Sequence, residues 1–174
     1  MNKPVTIWLT GLSGAGKSTI ASALKQHLAS QGYPCGLLDG DDLRNGLCSD
    51  LGYSPQDRTE NARRTAYVAR LMNEAGLIVI VAVISPRQCD RDQAKHVLGD
   101  AFYEVHIATP LAVCEARDAK GLYRQARTGV ISSFTGISSA YETPVAPDLR
   151  LDTSEQSLAG CVDAILRLLK LRLP

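Results

Sequence analysis

Aromatic side chains are scarce, at 5% of the chain with only two phenylalanines, so a phenylalanine in a polar stretch stands out as a candidate ligand contact. The five cysteines (Cys35, Cys48, Cys89, Cys114 and Cys161) are an odd number without a CxxC pair, and His27, His96 and His106 are scattered. Neither a disulfide framework nor a zinc site is indicated. No apolar run reaches the roughly eighteen residues of a membrane-spanning helix, and Leu77 to Ile84 is only of strand length. Charge of one sign is missing as well: Lys+Arg 19 against Asp+Glu 18 leaves a net +1, so no bulk field draws in nucleic acid or a membrane surface. An anion site has to be built locally. Met1 to Pro4 lead straight into a strand-like run without a leader pattern, which makes the cytoplasm the expected address. What remains is 174 residues, 45% of them hydrophobic and 21% charged, the composition of one globular domain spanning 1–174.

Strand-like and helix-like stretches alternate along the chain. Val5 to Thr10 is rich in β-branched residues and is followed by a glycine loop, and Ile20, Leu24 and Leu28 then share a helical stripe. Cys35 to Leu38 reads as a second strand closed by turn residues Asp39-Gly40-Asp41. Asp57 to Gly76 has the apolar spacing of an amphipathic helix, and Leu77 to Ile84 is the unbroken Val/Ile run of a strand covered on both faces, expected at the centre of the sheet. Further helices are expected over Asp90 to Leu98 and Leu111 to Arg117, strands over Phe102 to Ala108 and Leu149 to Leu151, and a final amphipathic helix around Leu158 to Leu169. The alternation predicts an α/β fold with a mainly parallel central sheet flanked by helices.

The strongest signal is Gly11-Leu12-Ser13-Gly14-Ala15-Gly16-Lys17-Ser18, which satisfies GxxxxGK[ST] between a predicted strand and a predicted helix. Glycines let the backbone curl until its N–H groups converge on phosphate oxygens, and the helix N-terminus adds positive potential there. Lys17 then neutralises the β- and γ-phosphates, and the Ser18 hydroxyl sits where Mg²⁺ bridges them; Thr19 completes the phosphate-binding run. A turn used only for packing would leave the lysine and serine unexplained. ATP with Mg²⁺ is the expected cofactor pair. No NKxD-type sequence supports a GTPase, and Leu77 to Ile84 runs into Ser85-Pro86 rather than the acidic residue that ends the corresponding strand of many motor ATPases. A small-molecule kinase is favoured.

Asp39-Gly40-Asp41-Asp42-Leu43-Arg44 follows the second strand at the carboxyl edge, where open α/β sheets place ligands. Asp39, with Ser18, is the metal-side candidate, and Asp41 the candidate to orient the acceptor hydroxyl. Helix capping by either aspartate is the alternative. Arg44, Arg58, Arg63 and Arg64 suit a doubly anionic acceptor, although any one of them is as readily a surface arginine. Phe134 lies in a polar, glycine-containing setting and invites base stacking with Tyr53; packing against the core stays open. Arg117, Lys120, Arg124 and Arg127 would form a cationic stripe if their stretch were helical, a lid over roughly 117–140, with a solvated basic face as the alternative.

These segments together carry a family resemblance. GLSGAGKST at 11–19, DGDDLR at 39–44, DLGYSPQDRTENARR at 50–64, ISP at 84–86, RDAKGLY at 117–123 and FTGISSAYETP at 134–144 resemble the adenylyl-sulfate kinase (APS kinase) family over nearly the whole chain. The resemblance implies a P-loop nucleoside triphosphate hydrolase fold and transfer of the ATP γ-phosphate to the 3′-hydroxyl of adenosine 5′-phosphosulfate in sulfate assimilation, giving 3′-phosphoadenosine 5′-phosphosulfate and ADP. By position it implies that Arg44, Arg58 and Asn61 hold phosphosulfate and ribose, that Tyr53 and Phe134 sandwich the adenine, that Lys120 lies nearby, and that Ile84 and Ser85 contact the substrate. Ser85 matches a position proposed as a phosphoserine intermediate; direct in-line transfer needs only Mg²⁺, Lys17 and a hydroxyl oriented by Asp41. The family is often dimeric, which leaves a homodimer open. The rival readings are another P-loop small-molecule kinase and a module that senses nucleotide without turnover.

Overall fold

The computed structural model describes residues 4–169; Met1 to Lys3 and residues 170–174, which the single-domain expectation includes, lie outside the described residues. Five parallel strands form one sheet in the order β2-β3-β1-β4-β5: β1 (Thr6–Thr10), β2 (Cys35–Asp39), β3 (Ile78–Ala82), β4 (Phe102–Ile107) and β5 (Leu149–Leu151). Parallel neighbours need crossovers, and helices supply them. They are α1 (Lys17–Ser30), α2 (Gly40–Asn45), α3 (Pro55–Glu74), α4 (Gln88–Leu98), α5 (Leu111–Arg117), α6 (Leu122–Arg127) and α7 (Leu158–Leu168). Among the described residues no helix is long and apolar enough to cross a membrane.

The period of two along each strand sends alternate side chains to opposite faces, and both faces are covered. Ile7, Leu9, Ile78, Ile80 and Ala82 join Ile20, Leu24 and Leu28 of α1 and Ile165 of α7 on one side. Trp8, Val79 and Val81 join Ala62, Ala66 and Ala69 of α3 and Ala94 of α4 on the other. The alanine stripe brings α3 close to the sheet, which is why its small residues, spaced three and four apart, are buried. Ser54 caps α3 ahead of Pro55, and Ser157 caps α7, both by accepting a backbone N–H in the first turn.

Three expectations change. The middle strand is β1, with β3 beside it, because β3 pairs with both β1 and β2. Asp39-Gly40-Asp41 is not a turn but the start of α2: the Asp39 carboxylate accepts the Asp41 N–H at 3.0 Å, so the capping alternative holds for Asp39. The basic stretch is not one helix. Asp118 (φ 24°) and Gly121 (φ 67°) interrupt it between α5 and α6, and the stripe of four cations is broken accordingly.

Candidate functional site

The glycine loop leaves the carboxyl end of β1 and enters α1. Gly11 has φ 149°, and a Cβ there would sit 2.4 Å from the Ile107 carbonyl oxygen, so only glycine passes β4 at this distance. Gly16, at φ 105°, sets the last turn before α1.

Every carbonyl from Gly11 to Ala15 is held by a side-chain donor. Lys17 Nζ donates to Gly11 O at 2.9 Å and Leu12 O at 2.7 Å, Tyr123 Oη to Ser13 O at 2.9 Å, and Arg117 Nη1 to Gly14 O at 3.2 Å. Thr109 and Thr153 hydroxyls donate to Ala15 O at 3.1 and 2.9 Å. In a trans peptide the carbonyl of one residue opposes the N–H of the next, so carbonyls gripped from behind aim the following N–H groups to the opposite side. The result is a cradle of donors for an oxyanion. Burial pushes the Lys17 ammonium down to about 8, partly countered by the nearby Asp39 and Asp41. Of these supports only Lys17 belongs to the motif. Thr109, Arg117, Tyr123 and Thr153 are separated from it in sequence; Arg117 and Tyr123 fall in the RDAKGLY segment at 117–123, but nothing in the sequence marks any of the four as a support of the loop.

Across the carboxyl edge of the sheet, Ser18 Oγ donates to Asp39 Oδ2 at 2.6 Å, joining the start of α1 to the cap of α2. Both are hard oxygen donors, and the carboxylate carries charge, a set that fits magnesium. Asp41, two residues on, forms an ion pair with Lys120, which ties α2 to the segment between α5 and α6. The acceptor-side arginines separate into two kinds. Arg63 is paired with Glu60, and Arg64 with Asp50 and Glu60. Arg44 and Arg58 form no ion pair among the described residues. Arg44 stacks 4.2 Å above the Tyr53 ring and donates to Gly52 O at 2.8 Å, while Arg58 lies 5.5 Å from the same ring and donates to Tyr53 O at 3.1 Å and Ser133 O at 3.4 Å. Burial, and then the neighbouring Arg44, lower the Arg58 pKa, with Tyr53 and Asp90 opposing the shift only in part. Asn61 adds a buried side-chain amide nitrogen without a partner. An anion with a polar body would satisfy all three groups.

The other predicted contacts are placed as follows. Ile84 O accepts from Thr10 Oγ1 at 2.7 Å and from Gly11 N at 3.5 Å, so the turn after β3 touches the loop's first glycine. Ser85 is buried with φ 38°, and its hydroxyl accepts the Trp8 indole N–H at 2.9 Å, while Arg91 holds its carbonyl at 2.7 Å. Phe134 is 7% exposed and meets Tyr123 edge-on at 4.9 Å; it makes no ring contact with Tyr53, which is 58% exposed. The packing alternative therefore describes what Phe134 touches here. Arg117 turns to Gly14 and Thr153, Lys120 to Asp41, and Arg127 to Glu115, so three of the four cations of the broken stripe serve separate ends.

A parallel sheet with a phosphate cradle at the end of its middle strand, an acidic pair beside it and two uncompensated arginines beyond defines a P-loop kinase. Comparison with known proteins makes this specific. The family model for adenylylsulphate kinase matches residues 3–152. The chain is 56% identical over 164 residues to an adenylyl-sulfate kinase of Shewanella denitrificans, covering 94% of this chain and 80% of that one. It is 56% identical over 173 residues to one of Pseudomonas aeruginosa, covering 99% and 88%. Among solved structures, the Mycobacterium tuberculosis APS kinase CysC in complex with AMPPNP and APS superposes with a TM-score of 0.94 at 45% identity, over 98% of this chain and 99% of that one. A sugar kinase of Janibacter sp., 18% identical with a TM-score of 0.65 over 97% and 96%, shares the fold. The chain belongs to the adenylylsulphate kinase family and is a phosphotransferase of the P-loop kinase type.

Proposed function

We propose that the protein transfers the γ-phosphate of ATP to the 3′-hydroxyl of adenosine 5′-phosphosulfate, yielding 3′-phosphoadenosine 5′-phosphosulfate and ADP. The observation that carries this reading is the uncompensated pair Arg44 and Arg58 around Tyr53, in a site whose opposite side is the phosphate cradle. A sulfated nucleotide supplies what that side lacks: two adjacent anionic groups for the guanidinium groups, hydroxyls for the Asn61 amide and a flat base for Tyr53.

The cradle from Gly11 to Thr19 holds the triphosphate, and Lys17 exchanges its two loop carbonyls for phosphate oxygens as the charge develops. Ser18 and Asp39 would hold Mg²⁺, which when bound neutralises phosphate charge and orients the leaving group. Asp41 accepts or orients the acceptor's 3′-hydroxyl proton, and Lys120, now paired with it, moves to the developing anion. Segment 117–140 supplies Lys120 and Phe134 and is the part that closes over the site, with the Arg58 bond to Ser133 as its contact to the acceptor side. The Ser85 hydroxyl, already accepting from Trp8 in a buried position, is a poor nucleophile by geometry, and direct in-line transfer is the route proposed.

Initial rates of ADP release with magnesium and ATP, measured against adenosine 5′-phosphosulfate, adenosine monophosphate and a sugar acid at equal low concentration, test this. A strong preference for the sulfated nucleotide is expected. Preference for the monophosphate or the sugar acid would overturn the acceptor assignment while leaving the ATP side standing.

A further inference from the structure

Tyr123 joins the two halves of the site, by a hydrogen bond to the glycine loop and a ring contact to Phe134. It is the second residue of α6, is 2% exposed, and stands 110 residues beyond its hydrogen-bond partner in the glycine loop. Its hydroxyl grips Ser13 O at 2.9 Å, its ring meets the Phe134 ring edge-on at 4.9 Å, and its own N–H is fixed by Asp118 Oδ1 at 2.9 Å. Burial raises the phenol pKa, so the hydroxyl remains a donor throughout the working range.

We infer that Tyr123 is a positioning residue that registers the ATP cradle against the acceptor-side loop. The Ser13–Gly14 peptide is planar, so a donor fixed on the Ser13 oxygen holds the Gly14 N–H pointing the other way, toward the phosphates. Gly14 sits at φ 73°, a conformation that glycine shares with several others, and its flanking peptides are free to rotate unless something outside the loop restrains them. The Lys17 ammonium holds the two carbonyls before Ser13, and Arg117 and the two threonines hold the two after it. Ser13 O is the one of the five whose partner also packs against a residue of the acceptor loop. The same ring that fixes the cradle sets where Phe134 stands, so ordering of one loop is transmitted to the other by direct contact. The inference rests on the reading of the loop as the ATP site and of Phe134 as an acceptor-side residue.

Tyr123→Phe removes the hydroxyl and keeps the ring. Loss of one neutral hydrogen bond to a positioned carbonyl predicts a rise of about threefold to tenfold in KM for ATP. The same loss should appear in AMPPNP affinity by calorimetry, with KM for the acceptor unchanged. Tyr123→Leu removes the ring as well and should raise both KM values. A residue that merely supports the fold would lower Tm and the active fraction and leave both KM values where they were; that result in the folded Tyr123→Phe protein overturns the inference. If the Leu variant does not fold, the Phe variant decides alone. Lys17→Ala serves as the reference: loss of AMPPNP binding there with none in Tyr123→Phe rejects this inference only, whereas unchanged binding in Lys17→Ala rejects the reading of the loop itself.

Discussion

The loop from Gly11 to Ser18 and the acceptor side around Tyr53 belong to one site but are held in opposite ways. In the loop each carbonyl has a donor, the lysine is 8% exposed, and a side chain at the first glycine would collide with β4. Around Tyr53 the arrangement is open: the ring is exposed, two guanidinium groups crowd it without an ion pair among the described residues, and a buried amide goes unanswered. The first region has its carbonyls satisfied from within, and its ligand meets N–H groups already aimed at it. The second is unfavourable as it stands, because two like charges lie close together and a buried donor is unsatisfied, and it is relieved when an anion enters. Rigidity thus sits where phosphate chemistry is common to many enzymes, and electrostatic frustration where one acceptor must be chosen.

The largest effect expected from breaking the complete side is that of Lys17→Ala, which removes both the phosphate charge partner and two loop bonds; kcat should fall by about a thousandfold with the fold retained by circular dichroism. Phe134→Ala tests which side that residue belongs to in the absence of ligand. Since its ring is buried against Tyr123, a stability loss of about 3 kcal/mol is expected in urea unfolding, together with any change in acceptor binding. An unchanged midpoint would place Phe134 wholly on the ligand side. Arg58→Ala sharpens the contrast: KM for the acceptor should rise about tenfold to a hundredfold with KM for ATP unmoved, because a charge-assisted contact is lost from the open side alone.

The smallest effect comes from pH. The Lys17 pKa is depressed to about 8 by burial, and phosphate contact requires the ammonium form. ATP affinity is therefore fully present below pH 8 and is lost as pH rises through that value, since binding must then take up a proton. For a single such proton, KM for ATP should rise about fivefold between pH 8 and pH 9. A flat profile over that range would show that Lys17 stays charged and that its buried contacts compensate its desolvation.

The difference between the regions also explains what the amino-acid sequence makes readable. The phosphate loop is contiguous, its glycines and lysine are demanded by local backbone geometry, and its place between a β-branched strand and an amphipathic helix is plain in the pattern. The five strands and the two-sided burial of β3 follow from the same periodicities. The rank of β3 in the sheet does not, since strand order is set by crossovers and not by hydropathy; β1, preceding the glycine loop, takes the middle. The short helix α2 stays an open alternative in the sequence, because an Asp-Gly-Asp run serves turns and helix caps alike. Arg44, Arg58, Arg63 and Arg64 look equivalent by residue type and charge; the resemblance singles out Arg44 and Arg58, and the positions of Glu60 and Asp50 show why the other two are paired. The carbonyl supports Thr109, Arg117, Tyr123 and Thr153 are contacts between distant segments, which no local motif encodes.

The central claim is that a phosphate cradle at the end of β1 faces an anion-seeking acceptor site across Asp39 and Asp41. A crystal structure with magnesium, a non-hydrolysable ATP analogue and adenosine 5′-phosphosulfate tests it most directly. The account predicts the γ-phosphate on the Gly11–Ser18 amides, the phosphosulfate between Arg44 and Arg58, and the 3′ oxygen about 3.5 Å from the γ-phosphorus and in line for attack. Adenosine 5′-phosphosulfate bound away from both arginines, or with its 3′ oxygen turned from the γ-phosphorus in the closed complex, would contradict it.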